Sequence, residues 1–205
     1  MWVIAACSVI ALAVAMERWF TLREAEGDSD ALLDEIGQRI ETGDLDAALE
    51  VCESTPGPVA ETIAVGLRKL RFLESIGRDP DDIEKGIVAA MEDHGAHVVS
   101  HLERFLSVLA TVAALAPIIG MIGTVVGMID AFDTIRAAGN VRPDAVAGGI
   151  SVALLTTAGG LIVAAPATIF YNYFTGRVAR LVLQVQAAGT EFIERLLELH
   201  ARRGT

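Results

Sequence analysis

Ala116-Pro-Ile-Ile-Gly-Met-Ile-Gly-Thr-Val-Val-Gly127 and, after a short polar turn, Gly148-Gly-Ile-Ser-Val-Ala-Leu-Leu-Thr-Thr-Ala-Gly-Gly-Leu-Ile-Val-Ala-Ala-Pro166 are the stretches from which the fold can be read. They sit inside two uncharged segments, Phe105–Ile129 and Ala145–Gly176, joined by a turn carrying Asp130, Asp133, Arg136, Asn140, Arg142 and Pro143. Each segment reaches the roughly 20 apolar residues that a helix needs to cross a bilayer core. The pair reads as a transmembrane hairpin.

At about 100° per residue, Gly120, Gly123, Thr124 and Gly127 share one face of the first helix, and Thr157 shares a face with Ala153, Gly160, Ala164 and Thr168 on the second. Lipid provides no hydrophobic drive between helices, so small residues that admit close backbone approach, and hydroxyls that find partners across the interface, do that work. One reading of these faces is therefore plain helix packing. The other is that the hydroxyls line a water-accessible or partner-filled axis. Counting inward from Asp133 and Ala145 puts Thr124 and Thr157 at similar depths, as in a polar ring of an oligomer. Pro117 and Pro166 are expected to kink the two spans.

Neither segment contains Asp, Glu, His, Lys or Arg, whereas intramembrane ionisable groups are the usual mark of a proton relay. Hydroxyls exchange hydrogen bonds but do not titrate near neutrality. If protons cross here, a carboxylate comes from another chain.

Composition agrees with a membrane protein: 53% of residues are hydrophobic and mean hydropathy is positive. The formal charge of −11 argues against nucleic acid or an anionic surface as the main partner. Cys7 lies in an apolar run and Cys52 in a polar one, so neither a disulfide nor metal-ligand spacing is expected of them.

The two stretches also carry a resemblance. Leu109-Ala-Thr-Val-Ala-Ala-Leu-Ala-Pro117, running into Gly120-Met-Ile-Gly-Thr-Val-Val-Gly-Met-Ile129 and then Phe132, is similar to a signature of the ExbB/TolQ/MotA family, and of its ExbB/TolQ branch in particular. Gly149-Ile-Ser-Val-Ala-Leu-Leu-Thr-Thr-Ala-Gly-Gly-Leu161, with Ala164-Ala-Pro-Ala167 and Tyr171-Asn-Tyr-Phe174, resembles the third helix of that branch. The resemblance implies an inner-membrane proton channel subunit that forms a homo-pentamer around the single spans of ExbD/TolR-like partner chains, whose aspartate carries the proton. It implies that Thr124 and Thr157 face the axis, and that a TonB/TolA-like periplasm-spanning protein is a further partner. The chain departs from the pattern at Val152, where many members carry a glutamate; proton and sodium both stay open as the ion.

Upstream, Met1–Met16 is apolar and runs into Glu17-Arg-Trp-Phe-Thr-Leu-Arg23. A signal peptide competes as a reading because Ala13-Val-Ala15 looks like a cleavage site, but no positive n-region precedes it. Charges after the segment, with Trp19 between them, favour a first span whose N-terminus is outside; its shortness fits a start slightly inside the native one. Arg18, Arg23, Arg104, Arg177 and Arg180 flank the spans on the side then read as cytoplasmic, against Arg136 and Arg142 in the outer turn.

Between the first two spans the pattern is helical and soluble in style. Leu33, Ile36, Gly37 and Ile40 form one stripe and Leu45, Ala48, Leu49 and Cys52 another, with Gly43-Asp44 and Ser54-Thr-Pro-Gly-Pro58 as punctuation. Val59–Ser75 predicts a further helix with Arg68, Lys69 and Arg71 near its end, where cations suit the dipole. Asp81 begins a long helix that can continue unbroken into the membrane. His94, His97 and His101 share one face of it, either as ordinary packing or as a metal or pH-sensitive site. Past the third span, Leu181, Val185, Ala188, Phe192, Leu196 and Leu199 continue a helical stripe.

The expected fold is an all-α membrane protein assembled as a pentamer, its long helices extending into the cytoplasm. The chain divides into a first span (1–20), a cytoplasmic helical domain (21–104), a second span (105–132), a periplasmic turn (133–144), a third span (145–176) and a cytoplasmic C-terminal helix (177–205). Thr124 and Thr157 are the candidate pore residues, Gly120, Gly123, Gly127 and Gly160 the packing residues, and Pro117 and Pro166 the kinks. No nucleophile elbow, phosphate loop or metalloprotease signature is present, so no enzymatic role, cofactor or metal is expected. The expected function is a channel, stator-like subunit of an ion-driven motor complex in the bilayer. The alternative is a non-conducting scaffold that holds partner helices.

Overall fold

The computed structural model describes residues 2–25, 27, 29–138 and 143–203. Asn140 and Arg142 of the expected turn, and Met1, lie outside the described residues. Among those described there are seven α-helices and no strand: α1 (Trp2–Glu24), α2 (Ser29–Glu41), α3 (Leu45–Ser54), α4 (Pro58–Ser75), α5 (Pro80–Leu102), α6 (Leu106–Ala138) and α7 (Pro143–Arg203). Three helical stretches are long and apolar enough to cross a membrane; they include α1, α6 and the first half of α7. The chain separates into two compact units, one made of Met1–Trp19 with Phe105–Thr175, the other of Phe20–Arg104 with Gly176–Thr205.

In the first unit, small residues line the α6–α7 contact and many large ones are exposed. Ala116, Gly120, Gly127 and Ala131 of α6 are buried, as are Ala153, Gly160, Ala164 and Ala167 of α7 and Ala11 and Ala15 of α1. Met121, Ile122, Val126 and Phe132, with Leu154, Leu155 and Ile162 on α7, are more than half exposed. In water such a surface would be an aggregation liability; facing lipid or other helices, it costs nothing.

The second unit inverts this arrangement. Leu33, Ile36 and Ile40 of α2, Cys52 of α3, Ile63, Leu67 and Leu70 of α4, Ile83, Ile87 and Met91 of α5, and Val185, Phe192 and Leu196 of α7 close one continuous aliphatic core. The stripes expected on 33–40 and 45–52, and that on α7 from Val185 to Leu196, are its walls; the Leu199 side chain lies outside those described. Local chemistry sets the ends of these helices. The Asp44 carboxylate accepts the Ala47 amide at 2.9 Å, and Pro58 and Pro80 occupy first-turn positions where a missing amide does no harm. Gly43 and Gly77 supply the left-handed backbone at φ 79° and 66° that ends α2 and α4.

Two expectations need correction, on the helix begun at Asp81 and on Arg68 and Arg71. The helix starting near Asp81 does not run unbroken: α5 ends at Leu102, and Phe105 sits at φ 64°, a conformation that interrupts any α-helix. Helix also reaches into the segment expected as the polar turn: α6 continues through Asp133 and Arg136 to Ala138, and Pro143 opens α7. No Gly or Pro stands between 133 and 138 to stop it. Residues 143–203 form a single helix that runs through the expected end of the third span at 176, where the two units divide. Finally, Arg68 and Arg71 do not serve the α4 terminus, which extends to Ser75; they pair with Glu53 and Asp46 of α3, each at 2.6 Å.

Candidate functional site

The α6–α7 contact is built on missing side chains. A Cβ placed on Gly160 would lie 2.5 Å from the Ala116 carbonyl oxygen and 3.2 Å from the Gly120 Cα. One on Gly120 would lie 3.0 Å from the Thr157 Cα, and one on Gly127 would lie 2.8 Å from the Ala153 Cβ and 3.1 Å from the Gly149 carbonyl oxygen. The obstacles at Gly120 and Gly160 are backbone, which cannot move aside as a side chain can. From Ala116 opposite Gly160 to Ala131 opposite Gly149, the helices touch main chain to main chain, a separation at which weak Cα–H···O contacts become available.

Within this contact one hydroxyl crosses the interface. Thr157 donates from Oγ1 to the Gly120 carbonyl oxygen at 2.9 Å. That carbonyl also faces the Thr124 amide, four residues on in the α6 ladder, and its two lone pairs can serve both donors. The Thr124 hydroxyl itself donates to the Met121 carbonyl at 2.6 Å. Thr124 stands at the rim of a cleft of about 190 Å³, lined otherwise by apolar side chains of α6 and α7, among them Met128, Phe132, Ile135, Ile150 and Leu154.

The structure thus brings the backbone around Gly120, Thr124 and Thr157 into one arrangement but does not place the two hydroxyls at one level. Thr157 is level with Gly120, and Thr124 lies one turn further along α6, about 6 Å at 1.5 Å per residue. The contact face is also rotated from the expected one. It is centred on Gly149, Ala153, Thr156 and Gly160, with Thr157 flanking it. At 3.6 residues per turn, 156 and 157 fit a stripe through 153 and 160 equally well, and only the position of the Gly123 backbone chooses: a Cβ there would collide with the Thr156 methyl. Thr156 is buried and returns its hydroxyl to the Val152 carbonyl at 2.8 Å. The helices run without interruption through Pro117 and Pro166, each of which removes one amide from the ladder.

Sequence reasoning missed Thr156, Gly149 and Ala131, all of which lie on i+3/i+4 stripes with residues it did select. It also missed the role of Arg18, taken only as a flanking charge. Arg18 is 1% exposed and makes two hydrogen bonds to the Glu17 carboxylate, at 2.5 and 2.6 Å. Its guanidinium lies 5.6 Å from the centre of the Phe105 ring. A buried charge is tolerable only when paired in this way. Next to it, Trp19 stacks on Tyr173 at 5.9 Å, tying α1 to α7 within the first unit.

The histidine cluster, Cys52 and Arg195 are in the second unit. His94, His97 and His101 line a cleft of about 560 Å³ together with Glu24 and Glu61. Among the described residues, no group of three or more His, Cys, Asp or Glu is arranged to hold a metal. Burial pushes the Cys52 thiol up to about 11, which suits a core side chain and not a nucleophile. Arg195 reaches across from α7 to Asp34 at 2.9 Å and to the Leu33 carbonyl at 3.0 Å, passing over Gly37, where a Cβ would strike it. Its guanidinium is held above the usual range by the Asp34 hydrogen bond first, and by Glu191 second.

Comparison with known proteins adds an independent line. The sequence model of the MotA/TolQ/ExbB proton channel family matches residues 55–187. The chain is 31% identical over 196 residues to the Tol-Pal system protein TolQ of Pseudomonas aeruginosa, covering 94% of this chain and 84% of that protein. It is 30% identical over 190 residues to the biopolymer transport protein ExbB of Pseudomonas putida, covering 93% of this chain and 56% of that one. Against ExbB of Aquifex aeolicus it is 39% identical over 92 residues, covering 45% and 62% respectively. The match spans less than two thirds of the length of either ExbB.

Proposed function

The chain belongs to the MotA/TolQ/ExbB proton channel family, and on that premise we propose that it is the multi-helix, stator-like subunit of an inner-membrane complex driven by the proton-motive force. In this reading copies of the chain, five to a ring, surround the single spans of an ExbD/TolR-like partner, whose carboxylate carries the ion. The work is delivered through a periplasm-spanning TonB/TolA-like protein to outer-membrane transport or another envelope process. The N-terminus is outside, and residues 21–104 and 177–205 are cytoplasmic. Proton remains the favoured ion, with sodium open because position 152 is valine.

The observation that carries this reading is the hydroxyl that crosses between the two hairpin helices: Thr157 Oγ1 donates to the Gly120 carbonyl, which the α-helical ladder also pairs with the Thr124 amide. Hydroxyls and carbonyls can pass hydrogen bonds along a path without holding a charge, so the charged group has to be the partner's. Thr124 and Thr157 frame that path at two levels. Gly120, Gly123, Gly127 and Gly160 let the hairpin close, and Pro117 and Pro166 set its bends.

One feature favours the scaffold alternative. The Thr157 hydroxyl is already engaged between two helices of its own chain, as a purely structural staple would be. Liposomes carrying the chain with and without its single-span partner separate the two. A channel subunit gives proton uptake only with the partner present, reduced in Thr157→Val while the complex still assembles. Equal flux with and without the partner, or full flux in Thr157→Val and Thr124→Val together, sinks the channel reading.

A further inference from the structure

We propose that His94 and Glu61 form a proton-operated latch between α5 and the first turn of α4, narrowing the cleft in the second unit when the imidazole is protonated. The buried Nε2 of His94 has no hydrogen-bond partner. It stands 3.9 Å from Glu61 Oε2, beyond hydrogen-bond reach but facing it. At this distance Nε2 is unsatisfied; a neutral imidazole offers a proton there in only one of its two tautomers, whereas an imidazolium makes both ring nitrogens donors and adds charge. A shift of about 1 Å then converts the 3.9 Å gap into a charge-assisted hydrogen bond. Glu61 can make that move. Its side chain is 67% exposed, and it sits one turn into α4, directly after the Gly57–Pro58 turn.

The neighbouring charges act in both directions. Glu24, from the tail of α1, lines the same cleft and adds to the attraction for an imidazolium, whereas His97 and His101 on α5 oppose it if they are protonated too. The latch is therefore closed when the His94 imidazole is protonated, in acid, and open when it is neutral. Pro56, Gly57 and Pro58 form the wall that Glu61 carries with it, so closure changes the shape of the cleft and not just one contact. The hairpin segments hold no group that titrates near neutrality. The latch therefore gives the chain a proton-sensitive element of its own, whether or not it conducts.

Hydrogen exchange on the full chain in nanodiscs at pH 5.5 and 8.0, corrected for intrinsic rates, tests this without any ion flux. Amides at the start of α4 should exchange about threefold more slowly in acid, the size of effect a partly exposed ion pair can supply. His94→Gln and Glu61→Gln should each remove that difference. His94→Lys, which fixes the charge, should show the slow, acid-like exchange at both pH values. A pH difference that survives in both glutamine variants, or none in the wild type, overturns the latch. Because the readout is backbone protection, its failure would be distinct from failure of the channel reading.

Discussion

The α6–α7 hairpin and the core of the second unit are both helix packings, yet they are held by opposite means. In the hairpin the contact is made of glycine, alanine and one crossing hydroxyl, and the bulky side chains point away from it. In the second unit Leu, Ile and Phe fill the centre, and charged residues such as Arg71 with Asp46 pair at the rim. The difference follows from the solvent each surface faces. Where water surrounds a unit, removing large apolar area from it is the dominant gain. Where lipid does, that gain vanishes and close van der Waals approach with internal polar pairing takes over.

If that contrast is right, substitutions should rank accordingly. The largest effect is expected in the aliphatic core. Phe192, 1% exposed, should destabilise the second unit by about 3–5 kcal/mol on change to alanine, read as a fall in the thermal unfolding midpoint in detergent. A loss well under 1 kcal/mol would break the contrast. Next comes Gly160→Val, which forces side-chain atoms against the Ala116 carbonyl and should cost about 1–3 kcal/mol by overpacking. Gly148→Ala is its control, because nothing lies within 4 Å of a Cβ there. Folded yield after purification compares the two, and equal losses would mean that close approach is not what holds the hairpin.

Smaller again is Thr157→Val, which keeps the shape, removes one interhelical bond and should cost about 0.6–1 kcal/mol. Thr124→Val, whose hydroxyl bonds only within α6, should cost less than that. Reversal of this order would show the crossing bond to be incidental. At neutral pH the smallest effect is at Cys52. Burial raises its thiol from 9 to about 11, so folded and unfolded chains both hold the proton below pH 9. Between pH 9 and 11 only the unfolded chain releases it, and stability should decline across that window. Cys52→Ala should flatten this part of the curve, as followed by unfolding midpoints against pH.

How much of this was legible beforehand varies with the kind of interaction. The stripes Leu33–Ile40 and Val185–Leu196 were visible because large apolar residues recur at helical spacing, and a helix can bury only one face. The hairpin was visible because two long uncharged runs admit no other structure in lipid. By contrast, the break at Phe105 carries no glycine or proline to announce it, and the pairing of Arg68 and Arg71 depended on where α3 came to lie beside α4.

The sequence alone settled that the chain is helical, that three stretches suit a membrane, and that no Asp, Glu, His, Lys or Arg lies within the hairpin segments; it offered the glycines as a close contact beside another reading. Those conclusions rest on properties each residue carries wherever it is placed: side-chain volume, charge, and a period of 3.6 residues per turn. Only the tertiary structure decided that Thr156 and not Thr157 is centred on the α6 contact, that the Thr157 hydroxyl takes the Gly120 carbonyl, and that His94 looks across a gap at Glu61. These depend on the register between segments far apart in the chain, and a shift of a single residue, invisible to periodicity, changes which atom meets which.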